Sequence, residues 1–507
     1  MRETEGKGRL PRAAGVLLHL TSLPGAPGIG DLGADAYQFV DFLVNARQGL
    51  WQILPLAPPG SGESPYGALS AFAGNPLLIS LTKLAEEGLL DPRLLGNGPS
   101  FPAQGVDYHL VREFKLPLLQ RAFDRFAQNG PGDSKRPEFE EFRSRNARWL
   151  DDFSLFMALK GAHRGAPWWK WEAGLVARQS SALARARDSL KTEVEFHQFL
   201  QFIFFGQWYA LKQYAKGHSV RMVGDIPIFV AHDSADVWAH QDLFTLDKHG
   251  HPTVVAGVPP DFFSATGQRW GNPHYRWDVL ARTGYEWWID RLRETLQQVD
   301  VVRIDHFRGF ESYWEIPAES PTAQRGRWVP GPREALFGAA EKALGQALPI
   351  IVEDLGTITP EVLALRDRLG YPGMKILQFA FGSDASNPYL PHNFDHGYVV
   401  YTATHDNDTT VGWFSSLSHW ERSAVQRYLG RDGSDIAWDL IRLALSSVAD
   451  TAIVPLQDVL ARGNEARMNF PGKADGNWAW RYSADQLTAW HADRLAELTI
   501  LYGRAPA

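Results

Sequence analysis

The sequence predicts a (β/α)8 barrel, a TIM-type α/β fold, and three observations carry the prediction. Eight short apolar runs recur along the chain and run into polar, acidic or proline residues, as buried strands of a parallel sheet do. Helical patterns lie between many of these runs. The turn after the first run reads Leu20-Thr21-Ser22-Leu23-Pro24-Gly25. It lacks the glycine fingerprint of a doubly wound dinucleotide-binding sheet, the main competing architecture.

The elements follow in order. Val16-Leu17-Leu18 is the first strand and precedes His19, and residues 36–43 then place Phe39, Val40 and Leu43 at helical spacing. Residues 50–54 form the second strand and run into Pro55. The stretch up to Val220 is mostly helical and charged, as in 112–126 and 138–159, with a helix over 196–214. Residues 220–223 are the third strand, running into Gly224-Asp225. A Gly-, Pro- and aromatic-rich stretch leads to a helix over 286–299 and a fourth strand, 301–304, ending at Asp305. The fifth strand, 350–352, ends at Glu353-Asp354 and is followed by a helix over 360–369. Residues 374–377 and 399–402 are the sixth and seventh strands, the latter leading to Thr404-His405-Asp406. A helix over 439–449 precedes the eighth, 452–454. The domain reading is therefore a single catalytic barrel over 1–507 with three insertions. A mainly helical one covers 82–200 between strands two and three, another covers 230–285 between three and four, and a short one covers 310–345.

Composition narrows the function classes. The chain has 507 residues, 44% hydrophobic and 21% charged, which excludes wholesale disorder. A net charge of −7 gives no global signal for nucleic-acid or anionic-membrane binding. The absence of cysteine excludes disulfides, zinc-thiolate sites and a cysteine nucleophile. No leader-like apolar segment follows Met1, and no spanning run appears, so a cytoplasmic location is expected. Nineteen tryptophans supply flat surfaces of the kind on which sugar rings pack, though most are expected in the core.

In such a barrel, polar residues at the C-terminal strand ends line the active site. Four ends carry acids: Asp225, Asp305, Glu353 with Asp354, and Asp406 with Asp408. A divalent metal is one use for such a set, but His232, His306 and His405 form no compact ligand motif. Glycoside chemistry is the other. A retaining enzyme needs two carboxyl groups about 5–5.5 Å apart. Adjacent strands lie about 4.8 Å apart, so Asp305 and Glu353, ending strands four and five, could meet that requirement. Arg303 shares strand-face parity with Asp305 and could hold it ionised, while Glu353 would need a raised pKa to serve as the acid.

These residues carry a resemblance. Arg303-Ile304-Asp305-His306-Phe307-Arg308-Gly309 resembles the nucleophile segment of the amylomaltases, the 4-α-glucanotransferases of glycoside hydrolase family 77 in the α-amylase superfamily. Val352-Glu353-Asp354-Leu355-Gly356 resembles their acid/base segment, and Thr404-His405-Asp406-Asn407-Asp408 their third acidic segment. Further blocks agree in order: Ser64-Pro65-Tyr66, Gly224-Asp225-Ile226-Pro227, Gly257-Val258-Pro259-Pro260-Asp261, Gln268-Arg269-Trp270 and Ala466-Arg467-Met468-Asn469. The resemblance implies that Asp305 is the nucleophile, Glu353 the general acid/base and Asp406 the transition-state-stabilising acid. It assigns sugar contacts to Ser64, Tyr66, Asp225, Arg303 and His405. It assigns the acceptor side to Asp261, Phe263, Gln268 and Trp270. Phe262 stands where the family commonly has Tyr, and Gly67-Ala68-Leu69 stands where glutamine-containing variants are common.

The implied reaction is retaining transfer of an α-1,4-glucan segment to the 4-hydroxyl of another glucan, with no cofactor and no metal. The partners are donor and acceptor glucans (maltooligosaccharides, amylose, glycogen). No nucleic acid or membrane is involved, and the chain is expected to be a monomer or a weak homodimer. A maltodextrin hydrolase of the same superfamily shares the three acids. A non-catalytic glucan-binding barrel is disfavoured because Asp305 and Glu353 are both present.

Overall fold

The structure is a computed structural model that describes residues 10–60, 62–128, 135–260, 264–473 and 475–506. Twelve strands are described: β1 Ala13–Leu17, β2 Leu50–Gln52, β3 Arg221–Pro227, β4 Val254–Val258, β5 Gln268–Pro273, β6 Val301–Asp305, β7 Ser312–Pro317, β8 Arg327–Pro330, β9 Ile350–Val352, β10 Gly373–Ile376, β11 Tyr398–Tyr401 and β12 Thr451–Pro455. Eight of them pair in the order β10-β11-β12-β1-β2-β3-β6-β9, every neighbouring pair parallel. The ends of that order meet. Val352 donates its N–H to the Pro372 carbonyl at 3.0 Å, and the Asp354 carboxylate accepts from Met374 N–H at 2.7 Å. All eight expected strands are present, and the sheet closes into the (β/α)8 barrel.

The strands form where β-branched residues can be buried on both faces. β1, β9 and β12 are buried throughout, and β6 is buried up to its last residue. Helix Ala34–Asn45 buries Phe39, Val40 and Leu43 on the spacing read from the sequence. Helix Lys191–Gly217 buries Phe199, Phe204, Trp208 and Leu211 and packs on the long helix Arg136–Ala162. Helix Tyr108–Ala127 starts where the Asp107 carboxylate accepts from Leu110 N–H at 3.0 Å, satisfying an amide that has no partner within the helix.

Two features differ from the sequence reading. Asp225 does not lie past its strand, because β3 continues through it. Pairing with β6 persists to Pro227 and sets Asp225 opposite Arg303 and Pro227 opposite Asp305. The stretches 230–285 and 310–345, read as separate insertions, also pair with each other. They supply a four-stranded antiparallel sheet in the order β5-β4-β7-β8. Gly257 permits that close approach, since a Cβ there would collide with the Gln268 carbonyl and Ile316.

Candidate active site

The strand ends gather the acids at one mouth. β6 ends on Asp305, β9 stops one residue before Glu353, and the turn after β11 carries His405 and Asp406. β6 and β9 are hydrogen-bonded neighbours, so Asp305 and Glu353 leave adjacent strands.

Arg303 organises one side. Its Nη1 lies 2.8 and 2.7 Å from the two oxygens of Asp225, and its Nη2 lies 2.9 Å from Asp305 Oδ1. One guanidinium thus joins two carboxylates of very different access. The side chain of Asp225 is 0% exposed and that of Asp305 is 29% exposed. Tyr66 closes over Asp225 and donates its hydroxyl to Oδ2 at 2.9 Å. Burial pushes the Asp225 carboxyl up to about 7, against the opposing pull of Arg303. Burial also opposes the Arg303 charge, but Asp225 and Asp305 overrule it and hold its pKa well above the usual arginine value.

Glu353 is held differently. His306 donates its backbone N–H to Oε2 at 2.9 Å, and Leu355 donates to Oε1 at 2.8 Å. The first bond depends on an uncommon backbone. His306 sits at φ 54°, in the left-handed region, immediately after Asp305. Burial and then the Asp305 charge push the Glu353 carboxyl up to about 8, with Arg303 and the Leu355 N–H pulling the other way.

The third acid has its own support. Asp406 accepts from Asn469 Nδ2 at 2.6 Å and lies 3.3 Å from His405 Nε2. Arg467 donates to the Asp406 carbonyl at 2.8 Å and pairs with Asp408. One buried carboxylate, Asp458, ties down both ends of this turn. It accepts from the Thr402 hydroxyl at 2.6 Å and from the Thr410 N–H and hydroxyl, each at 2.7 Å. Burial lowers the His405 pKa, against the opposing pull of Asp406, and so favours the neutral ring. That ring stacks on Tyr66 at 5.2 Å and 13°, and Trp478 flanks both.

An open cleft of about 770 Å³ runs over this face. Ser64, Tyr66, Asp305, His405, Asp406, Gln268 and Trp270 line it. The Ser64 hydroxyl accepts from Tyr66 N–H at 3.3 Å, fixing the turn that presents the tyrosine. Gln268 Oε1 accepts from the Trp270 indole at 3.1 Å, and Trp270 meets the His306 ring edge-on at 4.8 Å. Asp261 and Phe263, like Phe262, lie outside the described residues. Among the described residues no group of three or more His, Asp or Glu is placed to hold a metal ion, and no helix is long and apolar enough to cross a membrane.

Sequence reasoning missed several residues that build the site. Asn469 and Arg467 contact the third acid and lie in a block whose residues had no assigned role, and Trp478 flanks its histidine. Asp458 gave no signal, because it stands four residues beyond the apolar run 452–454 rather than at its end. The His306 and Leu355 backbone donors are invisible to side-chain reading.

A family model described as 4-alpha-glucanotransferase matches residues 18–488. The chain is 54% identical to the 4-alpha-glucanotransferase of Synechocystis sp., over 97% of this chain and 98% of that one. It is also 54% identical to that of Thermus thermophilus, over 96% and 98%. Among solved structures, an amylomaltase from Streptococcus agalactiae in complex with acarbose superposes with a TM-score of 0.95 at 38% identity, covering 98% of this chain and 100% of that one.

Proposed function

The chain belongs to the 4-alpha-glucanotransferase family, and from that premise we propose how this barrel mouth performs retaining transfer between α-1,4-glucans. Asp305 attacks the anomeric carbon of a bound donor while Glu353 protonates the departing glycosidic oxygen. The covalent glycosyl-enzyme forms through an oxocarbenium-like transition state. Glu353, now a carboxylate, takes the proton of an incoming 4-hydroxyl as that oxygen attacks the same carbon and releases Asp305. Asp406, held by Asn469 and His405, binds sugar hydroxyls as the ring distorts. Tyr66 and His405 form the platform for the sugar in the cleaved-side subsite, Ser64 orients that platform, and Asp225 fixes Tyr66 and Arg303 beneath it. Gln268 and Trp270, together with Asp261 and Phe263, serve the acceptor side.

The observation that carries this reading is the contrast between two carboxyl groups on adjacent strands. Asp305 lines the open cleft and is oriented by a guanidinium at 2.9 Å, as a nucleophile that must meet an anomeric carbon needs to be. Glu353 is half-buried, and desolvation with the Asp305 charge pushes its carboxyl up to about 8, which favours the protonated form an acid needs.

In this reading the whole chain is one catalytic barrel carrying its insertions, acting in the cytoplasm as a monomer or weak homodimer. Sedimentation of the purified protein tests the oligomeric state. The test of function is the product profile from maltotriose with free glucose quantified. A ladder of longer maltooligosaccharides plus glucose, with total reducing ends conserved, is expected. A rise in reducing ends without a ladder overturns transfer and makes the enzyme a maltodextrin hydrolase.

A further inference from the structure

We propose that Arg308 is a positioning residue for Glu353: it closes a ring of contacts that grips the acid/base loop from both sides. The inference rests on the functional reading above, which makes Glu353 the group that must meet the glycosidic oxygen.

The ring can be followed residue by residue. On one side, Trp270 sits edge-on against His306, whose N–H holds Glu353 Oε2. Trp270 belongs to β5. From its neighbour Arg269 a single transverse row crosses the antiparallel sheet, to Gly257 on β4, Trp314 on β7 and Trp328 on β8. The last two rings meet at 5.2 Å, so the row is stiffened by side chains as well as by the ladder. On the other side of Glu353, the loop passes Leu355 and turns at Gly356, where φ is 84°, to reach Thr357.

Arg308 joins these two ends. Its guanidinium lies over the Trp328 ring at 3.8 Å and donates to the Thr357 carbonyl. Arg308 itself is only 5% exposed, so its guanidinium is largely withdrawn from water, which strengthens both its cation–π contact and its charge-assisted hydrogen bond. Arg308 starts the short helix Arg308–Glu311 three residues after Asp305, so its own position is tied to the nucleophile strand. One side chain therefore registers three bodies: β6 with Asp305, the Glu353–Thr357 loop, and the sheet that carries the acceptor-side wall.

A purely structural arginine would stabilise the same contacts, so the test must separate position from stability. Two donors do this. Maltotriose needs its leaving sugar protonated, whereas α-maltosyl fluoride releases fluoride without proton assistance. Both form the covalent intermediate on Asp305, and kcat/KM for each reports that first step. In Arg308→Met, kcat/KM on maltotriose is expected to fall about tenfold or more, because a displacement near 1 Å at a reacting group costs up to about a hundredfold. Fluoride release from α-maltosyl fluoride should change by less than about threefold, since no general acid is used. Arg308→Lys keeps the charge without the planar face and should fall between. If Arg308→Met does not fold, Trp328→Leu decides, since Trp328 is 39% exposed on the outer strand and its loss opens only the far contact. Equal losses on both donors, or no loss on either, overturn the role of Arg308. A wild-type enzyme that makes no ladder from maltotriose overturns the functional reading instead.

Discussion

His306 donates its backbone N–H to Glu353 at 2.9 Å from a left-handed conformation, one residue after Asp305. A non-glycine residue at φ 54° is uncommon and persists only where its surroundings enforce it. Here the enforcement comes from the Trp270 contact on the ring and the Glu353 contact on the backbone. The consequence is that the chain leaving β6 carries both Asp305 and a hydrogen-bond donor for Glu353. The two groups are set by one turn of chain.

That arrangement gives a pH prediction. Glu353 must be protonated to act as the acid, and its carboxyl is pushed up to about 8. Activity on maltotriose should therefore persist through neutral pH and decline as pH rises through about 8. The alkaline limb of kcat/KM measures this. A limb at the ordinary carboxyl range, about 4–5, would remove Glu353 from the role. Glu353→Gln, which cannot donate a proton in the same way, should lose about 10²–10⁴-fold on maltotriose with the fold retained.

The Asp225–Arg303 pair makes a second prediction, about stability and rate together. Both side chains are almost wholly buried, and Asp305, the other carboxylate on Arg303, is 29% exposed, so removing Asp225 takes away the buried half of the guanidinium's compensation. Asp225→Asn should lower the melting temperature, with a stability loss below the about 3–5 kcal/mol of a buried pair left wholly uncompensated, because Asp305 still faces Arg303. It should also lower kcat/KM because Arg303 loses the carboxylate that fixes it beside Asp305. In the double variant Asp225→Asn with Arg303→Met, much of the stability should return while activity does not, because the under-compensated buried charge is gone but so is the group facing Asp305. An Asp225→Asn protein with unchanged melting and turnover would contradict both halves.

Tyr66 separates stacking from hydrogen bonding. Its ring lies parallel to His405, and its hydroxyl serves Asp225. Tyr66→Phe keeps the face and loses one hydrogen bond, worth about 0.5–1.5 kcal/mol, so catalytic efficiency should fall by no more than about tenfold. Tyr66→Ala removes the platform, and the larger effect should be on KM for the donor. If the two variants behave alike, the hydroxyl rather than the face is what matters.

Much of this architecture was legible in the sequence because burial leaves a simple trace. Strands such as β6 and β12 are sealed on both faces and therefore read as short apolar runs, and the acids at their ends stand out against them. Asp225 was read as lying past its strand because Gly224-Asp225 interrupts the apolar run. Its partner, Arg303, is a cross-strand neighbour that no local pattern reveals. The antiparallel sheet was hidden for the same reason. β4 and β7 belong to different insertions, and β5 is half exposed and polar, so neither periodicity nor proximity in sequence marks the pairing. Asn469 reaches Asp406 from the segment that follows the neighbouring strand, a contact fixed only once β11 and β12 lie side by side.

Trp270 supplies the last prediction, on the choice between sugar and water as acceptor. Water is present at overwhelming concentration, so transfer requires that an acceptor be held in position and that water be kept from the covalent intermediate. Trp270 is 39% exposed, lines the cleft and touches His306 beside Glu353, so its indole can serve an acceptor sugar without being needed for the core. Trp270→Ala should leave the melting temperature nearly unchanged and should reduce ladder formation from maltotriose more than it reduces glucose release. The ratio of transfer to hydrolysis is the quantity to follow, measured as longer products against new reducing ends. A fall in that ratio places Trp270 on the acceptor side. A proportional fall in both reactions would instead mean that the indole acts on formation of the glycosyl-enzyme, through His306 and its hold on Glu353.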